Sequence, residues 1–250
     1  MAERLGPGLP VQPSAARPRK DELVVQLRDD PWLATLPEPL RERIVAAMVV
    51  RCVAQDRPVY LQGDPCDGLY RLISGRMRLE RFLNAGEDGV LFTIGPGFWL
   101  GALAPLTGGK REVSATATAD SVLLLLPQRE IDAILATEVT AWRALSALLA
   151  KQMVGALDLL TERLILSLPM LVARRLLRLS VEGYGLQDPA RAAVILHQAE
   201  LAAMLGVTRK AVNGVLRGFA RAGIVELRKG RVVIRDVARL TRAAQAPESL

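Results

Sequence analysis

The sequence predicts an α+β chain of two domains joined by a long helix, and three observations predict it. Residues 57–127 break into short apolar-alternating runs punctuated by Gly and Pro. Residues 137–168 contain no proline and repeat apolar side chains at three-and-four spacing. Residues 198–234 read as two short helices around a tight turn, followed by a strand hairpin. A chain of 250 residues, half of them hydrophobic, is long enough to build two cores.

Residues 1–20 are rich in Pro and Arg and read as a flexible arm, with helices expected at 22–27 and 39–50. Strands are then expected at 59–61, 69–73, 77–82, 90–94, 98–100, 113–118 and 122–126. Turns are expected at Gly63-Asp64, Ser74-Gly75, residues 84–89, residues 95–97 and Gly108-Gly109. Many short strands at this spacing imply an antiparallel sandwich or barrel. A short helix at 128–136 closes the block.

In the proline-free segment, Trp142, Leu145, Leu149, Gln152, Ala156 and Leu160 form a heptad-like stripe suited to pairing with a second copy of the chain. Leu148, Met153, Leu157 and Leu159 form a neighbouring apolar face, expected to cover the β-rich block. A helix apolar on two sides needs two partners, although burial inside one monomer would also satisfy it. Pro169 is expected to stop the helix, with the next beginning at 170.

The stretch from Gln198 to Leu216 fits a helix-turn-helix. Leu201, Leu205, Val212 and Val215 sit at helical spacing, and Ala202 is small where the helices cross. Gly206 suits the left-handed end of the first helix, and Thr208 can cap the second. The hairpin that follows is a wing. Base reading falls to Thr208, Arg209, Lys210 and Asn213, with Arg217 and the wing residues Arg228, Lys229 and Arg231 directed at phosphates. Residues 167–250 carry 14 basic against 6 acidic groups, a balance of +8, whereas the whole chain is +7. The positive charge is concentrated where the helix-turn-helix lies, as a polyanion partner requires.

Cys52 and Cys66 lack metal-ligand spacing and are expected to be reduced thiols, and His197 cannot build a metal site alone. No uncharged apolar run reaches the roughly 18 residues that span a membrane, so a cytoplasmic protein is expected. No nucleophile–histidine set, Walker motif or dinucleotide fingerprint is present, so no enzyme activity is expected.

Gly63, Asp64, Leu69, Tyr70, Leu72, Ile73, Gly75 and Met77, followed by Gly97, Gly101, Ser114 and Ala115, resemble the β-roll of cyclic-nucleotide-binding domains. With the winged module behind it, residues 37–236 resemble the cyclic-AMP receptor protein / fumarate-nitrate regulator family of bacterial transcription factors. The resemblance implies an arm (1–20), a cyclic-nucleotide-binding-like sensor roll with flanking helices (21–136), a dimerisation helix (137–168), a winged domain (169–240) and a tail (241–250). It implies a homodimer on a near-palindromic operator in double-stranded DNA, with RNA polymerase as a further partner if the protein activates, and no membrane partner.

The same resemblance locates an effector pocket at Gly101, Ala102, Leu103, Arg111, Val113, Ser114, Leu160 and Thr161. Nucleotide-binding members carry Glu and Arg where this chain has Ala102 and Val113, and Arg111 stands two residues back towards the loop. The two hydroxyl residues that meet the base align with Leu160 and Thr161, of which only Thr161 keeps a hydroxyl. Cyclic AMP is therefore expected not to bind in the usual way. An iron–sulfur cluster lacks ligands, and a haem would have to use His197, far from the roll, or some other residue. The effector is another small molecule or the protein binds DNA constitutively. Lys210 and Gly214 replace base-contacting Glu and Arg residues of the cyclic-AMP receptor protein, so the operator should differ. A sensor or scaffold whose winged domain contacts protein is the competing class.

Overall fold

The computed structural model describes residues 18–84, 87–181, 193–195 and 198–245. His197 and most of the proposed arm lie outside the described residues. Helix α1 (Lys20–Val24) continues as a tighter turn to Leu27, and α2 (Glu38–Ala47) follows. The helix expected at 39–50 ends early, because Met48 turns extended and Val49 opens strand β1 (Val49–Val53).

The roll contains β1, β2 (Pro58–Tyr60), β3 (Gly68–Asn84), β4 (Glu87–Ile94), β5 (Trp99–Leu100), helix α3 (Leu103–Thr107) and β6 (Ser114–Pro127). The sheet runs β1-β6-β3-β4, with β2 also paired to β6 and β5 to β3, all antiparallel. Two pairs of expected short strands are thus single long ones, β3 and β6. Gly75 is a bulge rather than a turn: its φ is +90°, and a Cβ there would lie 2.2 Å from Ser121 Oγ. Helix α3 was not foreseen; Gly108 ends it with φ +64°.

Two cores result. Leu72, Met77, Leu79, Leu100, Ala115 and Leu123 fill the inside of the roll. Leu33, Ile44, Leu69, Trp99, Leu124 and Ile131 form an outer layer beneath α4 (Gln128–Leu135) and α5 (Val139–Ile165). A buried ion pair is embedded in this layer. Asp30 bonds Arg71 at 2.6 Å and accepts from the amides of Trp32 and Leu33 and from Trp99 Nε1. Four donors converge on one carboxylate, which meets the desolvation cost of burying it.

Helix α5 corrects the expected stripe. Ala141, Ala144, Leu145 and Leu148 are buried against the roll, and Gln152 Nε2 donates to Trp99 O at 2.6 Å. Leu145 and Gln152, expected on the pairing face, therefore face the roll. Met153 and Leu157, expected on the roll, are exposed together with Trp142, Val154, Leu160 and Leu164. The open stripe is rotated by about a fifth of a turn because the roll claims the side centred on Leu148. By length and composition α5 could cross a membrane, with mean hydropathy 1.3 over 18 residues, yet its first half is packed on its own domain.

Leu166 breaks α5 with an extended backbone, and α6 (Leu168–Val181) starts at once with Pro169 in its first turn. Pro169 thus opens a helix rather than ending one, a position where its missing N–H costs nothing. Glu162 accepts from Arg174 (3.2 Å) and Arg178 (3.0 Å) of α6, and Arg163 donates to Met204 O at 2.8 Å. The last domain adds β7 (Ala193–Ile195), α7 (Gln198–Leu205), α8 (Arg209–Arg221), β8 (Val225–Arg228), β9 (Arg231–Ile234) and α9 (Val237–Ala243). Its sheet runs β7-β9-β8, and Val172, Leu176, Leu201, Val212, Leu216 and Leu240 share one core.

Because Leu145 is 4% exposed in a packed cluster, Leu145→Ala should lower the unfolding free energy by about 2–5 kcal/mol, measured by chemical denaturation.

Candidate functional site

The helix-turn-helix forms as its local sequence dictates. Gly206 takes φ +61° directly after α7. Thr208 caps α8, its hydroxyl accepting from Ala211 N at 3.2 Å. Val212, Leu216 and Phe219 bury one face of α8. The opposite face presents Arg209, Lys210 and Arg217 in the open, with Asn213 half-buried beside them. None of those three cations makes an ion pair among the described residues.

In the wing, Arg228 pairs with Arg231 across the β8–β9 hairpin, and Gly230 makes the turn with φ +71°. Arg228 is not free for phosphate: it donates to Glu226 at 2.6 Å, and Arg235 also reaches that carboxylate. Hydrogen bonds from Arg228 and Arg235 hold the Glu226 carboxyl below the usual carboxylate range. Lys229 and Arg231 remain exposed and unpaired among the described residues. Gly214 lies exposed in mid-α8, and a Cβ there would meet nothing within 4 Å.

The effector residues of the roll divide. Gly101 has φ +80°, and an added Cβ would fall 2.1 Å from Arg111 Nη1. Arg111 is thus closer to the pocket than its sequence position suggests, because its chain segment is pinned by bonds from Gly63 N to Arg111 O and from Arg111 N to Asp64 O. Its guanidinium is already engaged. Nη2 donates to Asp67 and to Gly68 O, Nη1 donates to Gly101 O, and the group lies 4.2 Å from the Tyr60 ring centroid. Burial pushes the Tyr60 hydroxyl up to about 12 and also raises Tyr70, whose O–H donates to Asp67. Ala102 is buried and offers no acceptor.

Ser114 turns away from the cavity to accept from Gln62 N at 2.9 Å. Leu160 and Thr161 are exposed on α5 and do not line the cavity of one chain. What remains is an open cleft of about 880 Å³, with Gly101, Ala102, Leu103, Arg111 and Val113 on the roll side. It continues along α5 to Arg175 and Arg178 of α6. Sequence reasoning missed its aromatic wall, where the Trp32 and Trp99 ring centroids are 4.6 Å apart. Only the tight glycines at 97 and 101 marked it.

A roll with a side cleft, a long helix and a winged helix-turn-helix together are the architecture of a DNA-binding regulator. Residues 50–138 match the cyclic nucleotide-binding domain, and residues 172–243 match the Crp-like helix-turn-helix domain. The chain is 34% identical over 197 residues to the cyclic AMP receptor protein of Thermus thermophilus, covering 78% of this chain and 87% of that one. It is 28% identical over 207 residues to the CRP-like cAMP-activated global transcriptional regulator of Mycobacterium tuberculosis, covering 80% and 92%. The crystal structure of a CRP/FNR-family transcriptional regulator from Thermus thermophilus superposes with TM-score 0.68 at 24% identity, over 79% of this chain and 99% of that one. The chain belongs to the Crp/Fnr family of bacterial transcription regulators.

Gly214→Ala removes a mid-helix glycine into open space, so it should stabilise the protein by about 0.5–1 kcal/mol, read as a raised denaturation midpoint.

Proposed function

We propose that this regulator is a homodimer that reads a near-palindromic operator with α8 in the major groove. The observation that carries the reading is the free cationic start of α8, held on a buried face by Val212 and Leu216 and set by the Thr208 cap. Arg209 and Asn213 are one turn apart and share a face. Arg pairs bidentately with guanine, and Asn with adenine. Lys229 and Arg231 of the wing, with Arg217, supply phosphate contacts, while Arg228 serves first to fix the wing through Glu226. Gly214 leaves a flat surface where DNA can approach α8 closely.

The second copy covers the open stripe of α5, formed by Trp142, Leu149, Met153, Leu157 and Leu160. This keeps Trp142, Leu149, Ala156 and Leu160 of the stripe read from sequence and replaces Leu145 and Gln152, which face the roll. Such a dimer places two recognition helices about one DNA turn apart. The relatives' names carry cyclic AMP, but this chain has Ala102 in place of an acidic ribose acceptor, and Arg111 is already matched by Asp67. Cyclic AMP is therefore not bound in the usual way; another effector controls the protein, or it binds DNA constitutively. We assign it to the cytoplasm, with no catalytic activity, and with RNA polymerase as a partner where it activates.

Arg209→Ala should cost about 1–3 kcal/mol of operator affinity and relax preference at one base pair per half-site, measured by competition binding on a panel of duplexes. Binding should also weaken steeply and log-linearly with salt, which a protein-contacting winged domain would not do.

A further inference from the structure

Helices α5 and α6 are separated by Leu166 and Ser167 alone, and the backbone at Leu166 is extended. A link of that kind ties the winged domain to the rod without fixing its direction, because each residue keeps two soft dihedrals. Apolar packing does not supply the missing restraint. Among the described residues, the α5 side chains that join a core are Ala141, Ala144, Leu145 and Leu148, all on the roll. The core of the winged domain is built from residue 168 onward. Leu164 and Ile165, next to the break, are exposed, and a small cavity remains among Leu159, Leu171 and Met204.

The restraint is polar, and it comes from two adjacent residues. Glu162 is two positions from both Leu160 and Leu164, which places it on the side of α5 away from the open stripe. Its carboxylate accepts from Arg174 Nη1 at 3.2 Å and from Arg178 Nη2 at 3.0 Å. The same Arg174 donates through Nε to Ala244 O at 2.9 Å, at the C-terminal cap of α9. Arg163 Nη2 donates to Met204 O at 2.8 Å, in the last turn of α7. Both carbonyls stand at helix ends, where the backbone lacks an intrahelical donor and carries partial negative charge, so a guanidinium matches them. A Cβ on Gly206 would lie 3.2 Å from Arg163 Nη1, so the glycine that ends α7 also leaves room for this grip. Helix α7 lies beside β4 as well, and Arg163 ties its end to the rod.

We propose that Glu162 and Arg163 are positioning residues for operator recognition. The winged domain is held at three separate points: the start of α6, the Arg174–Ala244 contact and the end of α7. Three points restrain rotation where a single link does not. In the dimer, the direction so fixed sets the separation of the two α8 helices, and hence the half-site spacing that the protein accepts. One base pair is about 3.4 Å along the duplex, so a small swing of each domain changes the preferred spacing. This rests on the reading of the chain as a dimeric reader of an inverted repeat.

The test uses the full-length protein and two readouts. In the first, the inverted repeat that the unmodified protein recovers from a random pool is remade with its half-sites one base pair closer and one farther apart, beside a single half-site. The unmodified protein should prefer its own spacing about tenfold or more. The double variant Glu162→Ala, Arg163→Ala should retain a preference below about threefold, yet bind the single half-site within about twofold of the unmodified protein. Arg163→Lys, which keeps a cationic donor, should retain most of the preference. In the second, spin labels at the exposed Cys52 and at Arg221→Cys on α8 report the distance from roll to winged domain without DNA. Cys66→Ser and dilution with unlabelled chains leave one labelled pair. The distance distribution should broaden in the double variant. An unbroadened distribution overturns the proposal. So does a spacing preference that survives the double variant, or an equal loss on the single half-site. If the unmodified protein recovers no inverted repeat while its distances still broaden on substitution, the dimeric reading fails and the spacing role with it, and the grip on the winged domain stands.

Discussion

Helix α5 is apolar around most of its circumference, and a helix of that kind has to be covered on more than one side. One side is covered by its own roll, through Ala141, Ala144, Leu145, Leu148 and the Gln152–Trp99 bond. Its C-terminal end is tied to the DNA-binding domain by Glu162 and Arg163. The stripe from Trp142 to Leu164 has no cover among the described residues. The roll and the DNA-binding domain are therefore both held to one rod.

The roll holds its charges by enclosure. Arg71 and Arg111 are both buried, each with one carboxylate and an aromatic neighbour: Asp30 and Trp99 for the first, Asp67 and Tyr60 for the second. A buried guanidinium without such company would cost several kcal/mol. The Asp67 pair matters most for function. It neutralises the cation nearest Gly101, so an incoming phosphate would have to displace a carboxylate that is already in place. Together with Ala102, this supports the proposal that cyclic AMP is not bound in the usual way.

What was legible in the sequence was local. Gly206 and Thr208 announce the helix-turn-helix because a left-handed helix end and an N-cap are decided by adjacent residues. The Lys229-Gly230 turn is decided in the same way. The long strands β3 and β6 were not legible as such, because Gly75 signals a turn until a partner strand beside it turns the same residue into a bulge. The stripe on α5 came out rotated for a related reason. With Leu145, Leu148, Leu149, Met153, Leu157 and Leu160 all apolar, spacing alone does not say which of them the roll will claim. Arg111 was placed too far from the pocket because strand parity does not describe a loop pinned by Gly63 and Asp64. The aromatic wall joins Trp32 and Trp99, distant in sequence, and only the fold brings them together.

The most direct test of the central claim is selection of duplexes from a random pool by the purified full-length protein, with and without cyclic AMP. Two half-sites in inverted repeat, about one helical turn apart and enriched equally in both arms, are the predicted result. A repeat recovered only with cyclic AMP would contradict the account of the cleft. A lone half-site, or no enriched sequence in either arm, would contradict a dimeric reader of DNA.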